Sequence, residues 1–448
     1  MSSVEHATRR AWLVWTTAVV VYVAAVFHRS SLGVASLQAG ERFGVGSAAL
    51  GTFTVLQVGV YAAMQVPTGI LVDRFGPRRV LVVATVFMGL GQLLFALAHS
   101  YPLGLAARAV VGLGDAMTFV SVLRLVAAHF PARQYAVVVS LTAALGALGN
   151  LAATVPLTLL LGSVGWTLTF LVAGGLTAAY AVVAGLRVRD LPAGAPAARV
   201  EPVSLPTVLR RVTAAWRVPG TRLGFWVHFS TMFAPTVLGL LWGFPYLVQA
   251  QGLTEQEASA MLSVLVLGAM IGGPVLGTIT GRRPELRMPL VGAYLLVALG
   301  TWAVLLGWPG RLSAPALAVA FTLLSLGGPA SSIGFALARD YNPLQRVGTA
   351  TGVVNVGGFV ATTVSALGVG VLLDALGAAG AATAFRIALL VVVAVLVVGV
   401  WRTCVWWRRA RAAVFAAAAR GEDVPVQLRP RRWDTPVEQP VRPVPVAA

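Results

Sequence analysis

Of the 448 residues, 58% are apolar or aromatic and 11% are charged, too little polar surface to cover a water-soluble fold of this length. The 33 strongly basic residues are all arginines, set against 15 acids for a net charge of +18. Without lysine there is no Walker phosphate loop and no Schiff base. The single Cys404 excludes disulfides and thiolate clusters, and neither an H-E-x-x-H nor a G-x-S-x-G pattern occurs, so no enzyme, cofactor or metal site is expected.

A helix crosses a bilayer with about 20 apolar residues. Taken in chain order, apolar runs between charged or Pro/Gly breaks predict spans at 11–38, 49–72, 80–99, 103–129, 136–161 and 166–186. A second six follow at 223–250, 257–280, 288–308, 313–339, 347–373 and 381–401. The expected fold is an all-α membrane protein of twelve transmembrane helices in two pseudo-symmetric six-helix bundles, 1–187 and 223–403. The connection 188–222 begins as loose linker. It continues as an amphipathic helix in which Leu205, Val208, Leu209, Val212 and Trp216 recur opposite Arg210, Arg211 and Arg217, as in helices lying on an inner leaflet. The tail 404–448, rich in Arg, Pro and Ala, is expected to be mostly disordered beyond a short helix near 405–420.

With the N-terminus inside, 26 arginines lie on the cytoplasmic side, Arg42 and Arg311 lie in outside loops, and five fall within spans. The positive-inside rule therefore places both termini in the cytoplasm of a cell (plasma) membrane protein. The positive charge reads as contact with anionic membrane lipids, not with nucleic acid. Uphill transport by such a chain has to draw on an ion gradient.

Between the second and third spans stand Gly69, Asp73, Arg74, Gly76, Arg78 and Arg79. An acid at the cytoplasmic end of a helix, followed by basic residues in a tight turn, can latch the neighbouring bundle in one conformation and release it in another. The loop from Gly277 to Arg287 repeats the pattern in degenerate form, with Gly281 in place of the acid. In span 4, Arg108, Gly112 and Gly114 follow an R-x-x-x-G-x-G spacing. These motifs resemble those of the major facilitator superfamily over residues 11–403. The resemblance implies two rocking bundles around a central cavity, with the 69–79 loop as inner gate.

Ionisable groups within spans cost about 3 kcal/mol on insertion scales and are candidate functional residues by default. Span 1 carries His28 and Arg29, with Tyr22 on the same face as Arg29. Gln57, Tyr61 and Gln65 form a stripe at four-residue spacing in span 2. Arg108 and Asp115 stand two turns apart in span 4, and Asp115 is the one acid placed near the middle of any span. A guanidinium offers planar two-point recognition of a carboxylate or oxyanion and keeps its charge, while a buried carboxylate can exchange a proton according to whether an anion occupies a nearby arginine. The competing structural reading has Arg108 and Asp115 neutralise each other. In span 7, His228, Pro235 and Trp242 recur every seven residues, followed by Tyr246; this face, with Asn355 of span 11, is a candidate lining for the second half of the cavity.

The run Phe27, His28, Arg29, Ser30 and Gly33, then Tyr61, Gln65, Pro67, Gly69, Asp73 and Arg74, resembles the anion:cation symporter family, which includes sialin-like and sugar-acid transporters. That resemblance implies that Arg29 binds the substrate carboxylate and that Asp115 takes part in proton coupling. His28 departs from the acid often found before that arginine, and Asp115 from the usual Glu. The expected partners are a small anionic substrate, protons and lipids, acting on a monomer. Alternatives are proton-driven efflux of lipophilic compounds, nitrate/nitrite transport, suggested by Gly146, Gly149, Asn150, Gly357 and Gly358, and a transporter-like sensor. Span 5 lacks the G-P pair usual in drug antiporters, spans 2 and 8 lack the porter arginines, and the 45-residue tail is short for signalling.

Overall fold

The structure is a computed structural model that describes residues 9–130, 132–191, 205–343, 346–377, 380–422, 424 and 426. In the first half, α1 (Arg9–Ser30), α2 (Leu32–Phe43), α3 (Ser47–Phe75), α4 (Pro77–Leu97), α5 (Tyr101–His129), α6 (Ala132–Ala152) and α7 (Val155–Arg187) follow one another. Span 1 breaks at Ser31. The fifth span bends between Ala152 and Val155, and Gly165, at φ 74°, turns the chain into the sixth.

After α8 (Leu205–Arg217), the second half opens with α9 (Pro219–Val237), then π-helical turns Leu238–Trp242 and Tyr246–Ala250 flanking the short α10 (Gly243–Pro245). There follow α11 (Glu255–Arg282), α12 (Arg287–Gly307), α13 (Ala314–Ser325), α14 (Gly327–Asp340), α15 (Val347–Ala375), α16 (Ala381–Ala388) and α17 (Leu390–Ala419). α11 starts in a capping box, with the Thr254 hydroxyl accepting from the Glu257 backbone at 3.2 Å. Such a box satisfies the amide groups that a helix start leaves open.

Among the described residues, eleven helical stretches are long and apolar enough to cross a membrane. One of them, Leu141–Arg187, has 47 residues and turns at Gly165, so it crosses twice and the total is twelve. Large apolar side chains such as Leu176, Leu186, Leu296 and Trp401 stand exposed on the outside of the bundles. That is stable only against lipid, where helices satisfy their own backbone groups.

The two halves meet chiefly through α3 and α15, which run antiparallel. At the end expected to face outside, the backbone N–H groups of Ser47 and Ala48 donate to the Asp374 carboxylate at 2.6 and 2.9 Å. An acid of one half thereby caps a helix start of the other. Nearby, the Thr154 and Ser263 hydroxyls lie 2.7 Å apart, and Thr158 donates to Ser259 at 3.0 Å. Gly33 sits so close to the Gly239 carbonyl that any β-carbon would collide with it.

At the opposite end, Gly76 adopts φ 81° between α3 and α4, a conformation that glycine enters without penalty. The turn is held by Asp190, whose carboxylate accepts from the Arg78 backbone N–H at 2.6 Å. The Arg78 guanidinium donates to the Gly185 carbonyl at 3.0 and 2.5 Å. Arg74 lies over the Phe75 ring at 5.2 Å, and both Arg74 and Arg79 are exposed. Gly69 has open space where a β-carbon would stand. The Asp73 side chain, which carries the acid of the motif, lies outside the described side chains, as does the tail beyond 426.

Candidate functional site

Four helices converge on Arg29. The end of α1 brings the guanidinium to the Asp115 carboxylate of α5: Nε donates to Oδ2 at 2.7 Å and Nη2 to Oδ1 at 2.5 Å. The paired geometry matches two planar groups edge to edge. Tyr61 of α3 places its ring 4.6 Å from the Arg29 guanidinium carbon and 5.3 Å from the Phe359 ring of α15. Val58, Tyr61 and Ala116 of the first half form one apolar cluster with Leu240 and Phe359 of the second. The ion pair therefore sits where the two halves touch.

Its two partners differ in access. The Arg29 side chain is 20% exposed and that of Asp115 only 1%. A solute reaching this point meets the guanidinium first, and the carboxylate behind it holds both of its oxygens against Arg29.

Arg108 does not pair with Asp115, which counts against the competing reading in which the two neutralise each other. Seven residues span about 10 Å of helix, beyond direct ion pairing, and Arg29 fills the gap from another helix. Arg108 instead donates to the backbone carbonyls of His28 at 3.1 Å and Arg29 at 3.4 Å, and lies 5.3 Å from the Phe95 ring. It is sealed from solvent and steadies the end of α1 that presents Arg29.

Several other candidates pack around the pair or away from it. His28 is fully buried with Nε2 hydrogen-bonded to the Thr177 hydroxyl of α7 at 2.8 Å, because neighbouring residues on a helix point some 100° apart and Arg29 takes the direction of the interface. Gln57 is buried against Gly112 of α5. Gln65 donates to the Tyr61 carbonyl of its own helix at 3.1 Å. Of that stripe, only Tyr61 touches the ion pair. Tyr22 is half-buried, its ring 5.1 Å from Phe119 and against Gly146.

In the second half, Trp242 is buried and donates its indole N–H to the Ala366 carbonyl at 2.9 Å. The lining role expected for it is corrected to a packing one. The seven-residue spacing from His228 assumed a regular α-helix, and the π-helical turn at Leu238–Trp242 shifts the register. His228 is buried between α9, α14 and α15, with Nδ1 3.3 Å from the Ser331 carbonyl oxygen. Asn355 is half-buried on α15. Asn150, part of the nitrate-porter likeness, is engaged within the first half, its Oδ1 accepting from the Ser30 hydroxyl at 2.5 Å.

Three residues that the sequence reading passed over complete the picture. Phe359 supplies the far side of the Tyr61 stack, Asp190 holds the inner turn, and Asp374 joins the halves at the outer end. An open depression of about 640 Å³ at the outer end is lined by Gln38, Glu41, Arg42, His99, Leu161 and Gly165, none of them a candidate.

Comparison with known proteins places this geometry in context. The "Probable sulfoacetate transporter SauU" of Cupriavidus necator is 26% identical over 383 residues, 80% of this chain and 86% of that protein. The "Probable galactarate/D-glucarate transporter GudP" of Escherichia coli K12 is 25% identical over 419 residues, covering 84% and 90%. Among solved structures, a bacterial homologue of the human lysosomal transporter Spinster, inward-facing and unoccupied, superposes with a TM-score of 0.74 at 16% identity, covering 90% of this chain and 98% of that one. The family model described as Major Facilitator Superfamily matches residues 18–312 and 224–444. The chain belongs to the Major Facilitator Superfamily and is a multi-pass membrane transporter.

Proposed function

We propose that this transporter carries a small organic anion inward together with protons by alternating access, with Arg29 as the anion-binding group and Asp115 as the proton carrier. The observation that carries the reading is the two-point ion pair between them. It is reachable from its Arg29 side, closed on its Asp115 side and set between the two bundles.

An anion that takes Arg29 removes the partner of a carboxylate that is almost wholly buried. An ionised group left alone in such a place costs about 3–5 kcal/mol, so Asp115 takes up a proton as Arg29 turns to the substrate. When the anion leaves, the pair re-forms and the proton is released. Coupling then requires only that one guanidinium cannot satisfy two anions at once. Arg108 serves as a positioning residue through its bonds to the His28 and Arg29 carbonyls.

The halves are joined at the end bearing Asp374, Thr154 and Ser263. With the cytoplasmic termini that the arginine distribution supports, this conformation is sealed outside. The Asp73 to Arg79 loop, braced by Asp190, would close the inner side in the other conformation. On this reading the transporter works in the plasma membrane as a monomer. Both named curated relatives are transporters of organic acids, which favours an anion over lipophilic compounds or nitrate.

The test is uptake of a panel of radiolabelled organic anions into proteoliposomes under an inward proton gradient. The account expects accumulation that collapses when the gradient is dissipated and is absent in Arg29→Ala. Uphill uptake that survives in Arg29→Ala would refute the assignment.

A further inference from the structure

α8 packs through Ala215 against Ala350 and Val354 near the start of α15, at the end of the second bundle opposite Asp374. There, arginines and aromatic rings alternate in one ladder. The Arg409 guanidinium carbon lies 4.9 Å from the Trp406 ring centroid, and that of Arg222 lies 4.7 Å from the same ring. Arg222 is also 5.3 Å from the Trp216 ring. Trp216 meets Phe225 edge to face at 5.2 Å, and Phe225 meets Trp226 at 5.3 Å. Arg402 completes the ladder, 4.9 Å from Trp226 and 5.6 Å from Trp401. These contacts tie α8 to the start of α9 and to α17.

A ring face attracts a cation and takes up the flat side of a guanidinium, while the N–H donors point outward in its plane. Several other arginines spend those donors within the fold. Arg42 donates to the Ala98 and Ala96 carbonyls at 2.9 and 3.0 Å, Arg386 to the Trp308 and Gly310 carbonyls, and Arg287 to the Asp340 carboxylate. Among the described contacts of the ladder arginines, one donor is used in this way, Arg222 Nε on the Trp216 carbonyl at 2.6 Å. The sequence has no Asp or Glu from Leu205 to Thr254 or from Ala375 to Gly421, so neither α8, α9 nor α17 supplies a carboxylate. The buried indole N–H groups of Trp226 and Trp406 also lack a hydrogen-bond partner among the described residues. The open polar groups of this cluster are therefore donors, and an acceptor has to come from outside the chain.

Place and access select that acceptor. Arg409 and Trp401 are exposed, and Arg222 and Arg402 are half-buried. Trp401 ends the apolar run of α17, and indole rings settle at the boundary between hydrocarbon and headgroups. With the orientation that the arginine distribution supports, the ladder stands at headgroup depth in the cytoplasmic leaflet, the leaflet that carries anionic lipids. We infer that the ladder is a binding site for an anionic phospholipid, its headgroup held by the guanidinium edges of Arg222, Arg402 and Arg409 and its acyl chains lying along α17 below Trp401. A bound lipid fastens α8, which ends the connection from the first bundle, to the second bundle.

The test titrates the full chain in detergent with palmitoyl-oleoyl phosphatidylglycerol, or with the zwitterionic phosphatidylcholine of the same acyl chains, and follows the first lipid bound by native mass spectrometry. An arginine near the membrane surface favours an anionic lipid by about fivefold. The expected result is a preference for phosphatidylglycerol of roughly 100-fold in the wild type, falling to about fivefold in Arg402→Gln/Arg409→Gln. The preference should be unchanged in Arg9→Gln/Arg10→Gln, which removes two charges from the exposed start of α1. Equal retention of the two lipids by the wild type, a measurement that needs no variant to fold, overturns the inference. So does a preference that is undiminished in the ladder variant, or lowered equally in both variants. Binding is read without transport, so the outcome is independent of the proton-coupled reading above.

Discussion

Replacing Asp115 with asparagine keeps the outline of the side chain and removes its charge. In the native protein, an incoming anion must displace the Asp115 carboxylate from two Arg29 contacts of 2.7 and 2.5 Å. Hydrogen bonds to charged groups contribute about 1.5–3 kcal/mol, so removing this competitor should tighten anion binding by about 10- to 150-fold. The variant also loses the group that becomes costly when Arg29 turns away. In the wild type that cost, about 3–5 kcal/mol, holds uncoupled loading below roughly 1%; in Asp115→Asn nothing opposes it. Calorimetric titration should show the tighter binding, with the affinity of the wild type rising as pH falls and that of the variant flat. Counterflow exchange should persist while accumulation driven by a proton gradient disappears, and Asp115→Glu should retain coupling. A folded variant that still concentrates the anion, or that binds it more weakly than the wild type, would refute the reasoning.

Other substitutions separate binding from architecture. Arg29→Lys keeps the charge but loses the planar two-point contact, so binding should fall by more than about tenfold with an unchanged melting temperature. Gly33→Ala drives a methyl group into the Gly239 carbonyl. Overpacking of about 1–3 kcal/mol should favour conformers open at the outer end by roughly 5- to 150-fold. Thiol labelling of Ser263→Cys in a Cys404→Ser background reads this directly, and unchanged labelling would count against the assignment of the sealed end. Asp374→Asn, which weakens the caps on Ser47 and Ala48, should act in the same direction. Trp242→Phe removes the bond to the Ala366 carbonyl and should lower stability by about 1 kcal/mol with anion affinity unchanged; a large loss of affinity would return Trp242 to the binding site.

The spans were legible because length and hydropathy are properties of each segment alone and need no knowledge of packing. Gly165 is an example: it separates two apolar runs in the sequence and turns the chain at φ 74° in the structure. What the sequence could not supply was the rotation of each helix about its axis. Arg108 and Asp115 share a face of α5, yet their partners come from α1, and only the crossing of the two helices decides which guanidinium reaches the carboxylate. Gln57, Tyr61 and Gln65 look equivalent on a helical wheel, but the approach of α5 at Gly112 buries Gln57 while Tyr61 is left at the seam with Phe359. Trp242 was misplaced because π-helical turns carry no spacing signal in the sequence, and Asp190 because a lone acid after a span gives no hint that it braces a distant turn.

The exchange of partners at Arg29 is tested most directly by counting protons taken up as the anion binds, by calorimetry in buffers of different ionisation enthalpy. The account predicts one proton absorbed per anion bound in the wild type near neutral pH, and none in Asp115→Asn. Binding without proton uptake in the wild type, or undiminished uptake in the variant, would contradict it.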